Sequence, residues 1–377
     1  MQGRYNTASV MIDSIDETTY AQILTFLNHP AFADTRIAIM PDTHKGKGAV
    51  IGFTMPMGQY ISPNVIGVDL GCGMLTWQFD KKASDISLAD LDRFIHERIP
   101  SGFSVRSKVV DVSRSALHSA ILRICDTIGI DSDRALKSIG TLGGGNHFIE
   151  VGEYQNNLYV TIHSGSRNFG KCIADYYQKK AVEDSKSYFI GMEGAGHKGL
   201  ESLHVNSVNG EAYLKASIIA QEYASINRHF MMRDIADYLS CDVVDAIESV
   251  HNFIGSDNII RKGATPAQLG QKVIIPFNMR DGIALCVGKG NKDYNYSAPH
   301  GAGRILSRSK AKETLSVDAF KDQMVKAGVY TTTAGQSTLD EAPDAYKDMQ
   351  TILDNIKDTV EVKALIKPIY NFKAGGE

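Results

Sequence analysis

Metal-ligand side chains recur along this sequence, each near the end of an apolar run and next to glycine or a small polar residue. The stretch "VDLGCGM" sets Asp69 three positions before Cys72, and "GGGNHFIE" supplies Asn146, His147 and Glu150. "IHSGSR" supplies His163 and Arg167, and "SVHNF" supplies His251 and Asn252. Carboxylate, thiolate and imidazole all suit a divalent transition metal. One carboxylate, one thiolate and three imidazoles exceed what a single tetrahedral ion requires. If they converge, a two-metal site with one bridging group is the economical arrangement, and a thiolate is a natural bridge. Taken singly, each histidine is more often a hydrogen-bonded core or loop residue, and Cys72 a small buried apolar one. What lifts them is the repeated strand-to-glycine-turn context, in which loops present function on a rigid scaffold.

"SAPHGAGR" (297–304) raises a different chemistry. Glycines let backbone approach a bound group closely, and an arginine forks onto phosphate or carboxylate. A nucleophilic imidazole needs one nitrogen free and the other held by an acceptor. "MPDTHKGKG" offers Asp42 as that acceptor for His300, whereas His44, Lys45 and Lys47 are equally readable as surface groups. "GTLGGGNHF" (140–148) is dense enough in glycine to present backbone N–H groups to an anion, or to be a flexible turn. It lacks the Gly-Lys-Ser/Thr of a P-loop. Arg167, Arg304 and Arg308 follow their motifs closely enough to hold phosphates, although "RILSRSKAK" (304–312) also reads as a solvated helix face. No Gly-x-Ser-x-Gly elbow points to serine hydrolysis.

The elements that must position these groups are mixed. Helical spacing marks 18–29, 88–99, 114–128, the long span Asn209–Leu239, "SVDAFKDQMVKAG" and Pro343–Ile356. Strands are expected in "RIAIMPDTH", "GAVIGFTMPM", "VIGVDLGCGM", "NLYVTIHSGSR", "VVDAIESVHNFI", "QKVIIPFNMRDGIALCVGKG" and "LIKPIYNF". Without strict βαβ alternation the fold class is α+β. The candidate residues run from Asp42 to Lys373 and no linker stands out, so if they converge, residues 1–377 are expected to form a single catalytic domain.

Composition narrows the class further. With 43% hydrophobic and 22% charged residues the chain is an ordinary globular one, and its net charge of −3 gives no global attraction to nucleic acid. Five widely spaced cysteines without a CxxC pair argue against a disulfide framework or zinc ribbon and for a reducing compartment. The polar N-terminus is no signal peptide and no run spans a bilayer, so a cytoplasmic protein without a membrane partner is expected.

Together and in this order, "PDTHKGKG", "GVDLGCGM", "GGGNHFIE", "HSGSRNFG", "HNF", "SAPHGAGR" and "EAPDAYKD" resemble the RtcB family of RNA ligases, from about residue 36 to the C-terminus and closest to a compact bacterial branch. The resemblance implies an RtcB-like fold with a central dinuclear metal cleft. It implies a GTP- and Mn²⁺-dependent ligase that joins RNA 3′-phosphate or 2′,3′-cyclic phosphate ends to 5′-hydroxyl ends, in repair of tRNA or rRNA. His300 would carry GMP and Asp42 would hold it; Asp69, Cys72, His147, His163 and His251 would bind two manganese ions, with Cys72 bridging. Asn146, His147, Phe148, Ile149, Glu150, His251, Asn252, His300, Gly301, Ala302, Gly303, Tyr346 and Lys373 would bind GTP, and Arg167, Arg304 and Arg308 RNA phosphates. Many members carry Gly-Ser-Met where this chain reads "FNMRDG", which puts Asn278, Met279 and Arg280 at the guanine site. Two other readings fit the same ligands: a metal-dependent cyclic phosphodiesterase without ligation, and a metal-containing RNA-binding protein.

Overall fold

Strand Asn157–Ser164 shows how the sequence builds the scaffold. Its residues alternate between two faces. Leu158, Val160 and Ile162 join one buried cluster, while Tyr159 joins another on the opposite face of the sheet. The computed structural model describes residues 1–33, 35–112 and 116–375. Seven strands form the main sheet: β1 (Gly73–Phe79), β2 (Phe148–Tyr154), β3 (Asn157–Ser164), β4 (Val243–Val250), β5 (Lys272–Pro276), β6 (Ile283–Gly288) and β7 (Val360–Lys373). Their order is β5-β6-β7-β2-β3-β1-β4, antiparallel throughout. The edges β4 and β5 meet through Lys272–Asp245 at 2.5 Å and through the Ile274 N–H donating to Ser249 Oγ at 3.3 Å, which curls the sheet into a nearly closed barrel. Gln155 and Asn156, both at positive φ, make the two-residue turn from β2 to β3.

Met74, Phe148, Tyr159, Ile247, Ile274, Ile283 and Ile366 fill the barrel. The opposite face packs on Leu91 and Ile95 of helix Leu88–Arg98 and on Met231, Met232, Ile235 and Leu239 of helix Val208–Leu239. That 32-residue helix starts at Ser207, whose side chain accepts from the Gly210 N–H, and its first half packs against helices Ala116–Ile128 and Arg167–Asp184. A five-stranded sheet of Ala8–Val10, Ile37–Ile39, Phe53–Pro56, Ile259–Lys262 and Asn252–Ile254 flanks the barrel. The strand pair Ala264–Pro266 and Ser297–Pro299 delivers His300. These layers pack as one compact domain of mixed helix and strand. No described helix is long and apolar enough to cross a membrane.

Two expected elements differ. The first part of "VIGVDLGCGM" is a helical turn, Pro63–Ile66, because Pro63 opens it and Gly67 ends it at φ +111°; the strand begins only at Gly73. Pro343–Ile356 is a short 3₁₀ turn, Pro343–Ala345, and then a helix, Met349–Asn355, restarted by Asp348, whose side chain accepts from the N–H groups of Gln350 and Thr351. Residues 114 and 115 of the expected 114–128 helix lie outside the described residues.

Candidate active site

One mouth of the barrel gathers the candidates. Cys72 and Asp69 sit in the loop that enters β1, His163 near the end of β3, His147 just before β2 and His251 just after β4. Gly71, at φ +73°, lets this loop lie on the long helix: a Cβ there would come within 2.7 Å of the Gln221 Cα. Cys72 Sγ is 3.6 Å from His147 Nε2 and 3.3 Å from His163 Nε2. His163 Nε2 lies 3.2 Å from His251 Nε2, and His147 Nε2 3.1 Å from Asp69 Oδ2.

The chemistry of these donors fits a metal. The Nδ1 atoms of His147 and His163 donate to the carbonyls of Leu142 (2.9 Å) and Asn146 (3.0 Å), which leaves each Nε2 as the ligand atom aimed into the cluster. The ligand atoms fall into two sets of three, Cys72–His163–His251 and Asp69–Cys72–His147, that share the thiol. Burial pushes the Cys72 thiol well above its usual value, and the Asp69 charge adds to this. Burial also drives His163 and His251 well below theirs. Burial opposes the Asp69 charge, but His147 and Arg167 hold its carboxyl at about 2. Neutral imidazoles and a carboxylate are ready ligands, and the thiol would give up its proton to a cation.

Beside this cluster, His300 stands with its ring centroid 4.6 Å from that of His251. Its Nδ1 is 2.6 Å from Oδ2 of Asp42, which is wholly buried. Gly303, at φ +74°, is needed because a Cβ there would collide with the Asp42 carbonyl. Lys347 fixes the same loop by donating to the carbonyls of Pro41 (2.7 Å) and Thr43 (2.9 Å).

His300 to Arg304 line a cavity of about 260 Å³ together with Asn146, Phe148, Glu150, Asn278, Met279, Arg308, Tyr346, Asn371 and Lys373. A register shift in β7 between Pro368 and Tyr370 shapes its floor. The extra residue turns Tyr370 and Phe372 to the helix-covered face and aims Asn371 and Lys373 inward, opposite Glu150 and Phe148. Asn371 Nδ2 donates to Glu150 Oε2 at 2.9 Å, and Glu150 Oε1 is buried without a partner among the described residues. Burial raises the Glu150 carboxyl to about 8, against the opposing pull of Asn371 and Lys373. On the far wall, Glu341 accepts from Lys373 (2.5 Å), Arg304 (3.0 Å) and the Tyr346 hydroxyl, and lies 3.0 Å from Arg308. Burial opposes its charge, but Lys373, Arg308 and Arg304 hold it at about 2.

Asn278 and Met279 line this cavity, although Asn278 also closes a turn, accepting from the N–H groups of Arg280 and Asp281, and Met279 packs in a buried cluster with Phe320 and Met324. Other expected residues stand apart from it. Arg280 lies on Asp281. Ile149 faces the helix side, and Asn252 Oδ1 accepts from the Gly263 N–H at 3.0 Å. Arg167, with Arg134, Asn168 and Lys171, lines a second cavity of about 480 Å³ that also touches Asp69, His147 and Asn146. Glu341 and Asn371 are site residues that spacing did not single out, as is Asp340, whose carboxylate accepts from the cavity-lining Arg308 at 2.8 Å. Asn371 was readable from Lys373 by the strand period of two, and Glu341 from the acid that opens "EAPDAYKD".

Fold and site define a class: a barrel enzyme with a carboxylate-held histidine beside a cluster of metal-type ligands. The family model described as tRNA-splicing ligase RtcB matches residues 22–128 and 126–374. The RNA-splicing ligase RtcB of Escherichia coli strain K12 is 31% identical over 365 residues, which cover 88% of each chain. The tRNA-splicing ligase RtcB of Aeropyrum pernix is 27% identical, covering 83% of this chain and 82% of its own. For the RNA-splicing ligase RtcB of Mycobacterium tuberculosis strain H37Rv the identity is 27%, over 84% of this chain and 91% of its own. This chain belongs to the RtcB family.

Proposed function

We propose that this chain is an RNA ligase that seals a 3′-phosphate end, or a 2′,3′-cyclic phosphate end after its hydrolysis, to a 5′-hydroxyl end, with GTP consumed and GMP carried on His300. The observation that carries this reading is the bond between His300 and the buried Asp42, at a cavity wall next to the metal-type cluster. Asp42 keeps the proton on Nδ1, so Nε2 holds the attacking lone pair. Nε2 forms a bond to the α-phosphorus of GTP, and the bond to pyrophosphate breaks. An oxygen of the RNA 3′-phosphate then attacks the same phosphorus, breaking the P–N bond and freeing His300. Finally the 5′-hydroxyl oxygen loses its proton and attacks the RNA phosphorus, and GMP leaves. The nucleotide thus turns a poor leaving group into a good one.

Asp69, Cys72, His147, His163 and His251 would hold two Mn²⁺ ions in a dinuclear cleft, with Cys72 in both ligand sets. Such cations neutralise phosphate charge during transfer. Two features support guanine as the base. Glu150 Oε1 is a buried carboxyl oxygen without a partner among the described residues; once ionised, the carboxylate can accept from the adjacent N–H donors that guanine, unlike adenine, presents on one edge. Tyr346 and Phe148 line the same cavity as aromatic surfaces for a base. The second cavity, with Arg134, Arg167 and Lys171 beside Asp69 and His147, suits the RNA 3′-phosphate.

Hydrolysis of cyclic phosphates without ligation would use the same ligands, but it gives the Asp42–His300 pair no task. Incubation with a nicked stem-loop bearing 3′-phosphate and 5′-hydroxyl ends, Mn²⁺ and either GTP or ATP tests the reading. Joined product with GTP is expected; cleaved cyclic phosphate with no joining under either nucleotide would overturn it.

A further inference from the structure

Beneath the ligand cluster, two adjacent polar residues lie in the middle of the long helix Val208–Leu239. Asn227 and Arg228 are both fully buried. Burying an amide and a guanidinium is costly unless every polar group is matched. Here nearly all of them are matched, and the partners lie in the loops and strand ends that carry the metal-type ligands.

Asn227 Oδ1 accepts from the N–H groups of Gly140 (2.7 Å) and Thr141 (2.9 Å). Its Nδ2 donates to Ser164 Oγ (3.1 Å) and the Gly165 carbonyl (3.0 Å). Ser164 Oγ in turn donates to the Leu142 carbonyl at 2.8 Å, the same oxygen that receives His147 Nδ1. The Arg228 guanidinium donates from one nitrogen to the carbonyls of Gly71 (2.9 Å) and Ser164 (2.8 Å), the neighbours of Cys72 and His163. Glu248 Oε1 accepts from the rest of the fork at 2.7 and 3.2 Å. Asp69 is reached through the same loop, because its Oδ1 accepts from the Ser166 N–H at 2.9 Å and from Ser166 Oγ at 3.2 Å.

We propose that Asn227 and Arg228 are positioning residues that lock the loops bearing Asp69, Cys72, His147 and His163 into a single cation-binding geometry, through hydrogen bonds from one rigid helix. They touch neither nucleotide nor RNA and act only through the ligands. Partners of this kind shift metal affinity by about 10- to 100-fold when removed. The inference rests on the metal reading of the cluster.

Co²⁺ is the probe, because a thiolate ligand gives it a near-ultraviolet charge-transfer band and its visible bands report ligand geometry. The metal-free chain, Asn227→Asp, Asn227→Ala and Arg228→Lys would be titrated with Co²⁺, each alongside a melting curve without metal. Asn227→Asp keeps the acceptor but loses both donors, and Arg228→Lys keeps the charge but loses the fork. We expect both to melt cooperatively, to bind Co²⁺ at least 10-fold more weakly, and to show altered visible bands, with Asn227→Ala weaker still. Variants that lose melting temperature yet bind Co²⁺ with unchanged affinity and spectrum would reduce the pair to core packing and overturn the inference. Absence of the thiolate band in the unsubstituted chain would overturn the metal reading itself, and the inference with it.

Discussion

Nδ1 of His300 lies 2.6 Å from Oδ2 of Asp42, a carboxylate with no exposed surface, across 258 residues of sequence. A hydrogen bond of this kind fixes both the tautomer and the orientation of the imidazole. Asp42→Asn keeps the shape but can present its amide N–H to Nδ1, which moves the ring proton to Nε2 and removes the nucleophilic lone pair. We expect GMP transfer to His300 to slow by about 10²- to 10⁴-fold, with GTP affinity little changed. Single-turnover kinetics separate the two; an unchanged transfer rate would remove Asp42 from the reaction.

Glu150 predicts an unusual gain in stability. Its carboxyl is raised by burial from 4.5 to about 8. Between those values the folded chain holds a proton that the unfolded chain has released, so stability falls as pH rises through that window and levels off above it. Glu150→Gln removes this penalty. Its melting temperature should exceed that of the parent at pH of about 8.5, by a margin that shrinks toward pH of about 5. A constant margin across the range would refute the buried-carboxyl assignment.

The same substitution tests base choice. Glutamine can turn an amide donor toward the base where the parent offers Oε1 as an acceptor. Above pH of about 8, where the Glu150 carboxyl is ionised, losing a hydrogen bond to it costs about 1.5–3 kcal/mol, so preference for GTP over ATP measured there should fall about 10- to 100-fold. Competition binding with the two nucleotides measures this directly.

Metal uptake should release protons. The Cys72 thiol is pushed well above its usual value by burial and by Asp69, so it is protonated at neutral pH until a cation displaces the proton. Mn²⁺ affinity should therefore rise with pH, and calorimetry in buffers of different ionisation enthalpy should detect the released proton. At a hundredfold excess over Kd, bound metal stabilises the fold by about 2.7 kcal/mol, lost on chelation. Cys72→Ala should abolish the proton release.

Much of this site was legible because its residues announce their chemistry. Asp69, Cys72, His147, His163 and His251 each stand at or near a strand end beside glycine or a small polar residue, and all converge at one mouth of the barrel. The parts that sequence hid depend on three-dimensional register. Lys373 is named through the family motif and points to Asn371 two residues before it, but alternation along the rest of β7 would turn both away from the cavity, because it does not foresee the residue gained between Pro368 and Tyr370. Arg304 and Arg308, read as phosphate forks, lie against Glu341 and Asp340, carboxylates whose proximity no local spacing reveals. Asn278 and Arg280 are drawn into a turn around Asp281. Asn227 and Arg228 look like ordinary interior positions of an amphipathic helix until the loops they hold are seen.

The most direct measurement is covalent labelling with GTP carrying a radioactive α-phosphate, in the presence of Mn²⁺, with denaturation before counting. Acid-labile label should appear on the unsubstituted chain, should not be formed from ATP, and should vanish in His300→Ala while Mn²⁺ still binds. Metal-loaded protein that takes label from neither nucleotide, or His300→Ala that labels as well as its parent, would contradict the histidine–GMP pathway.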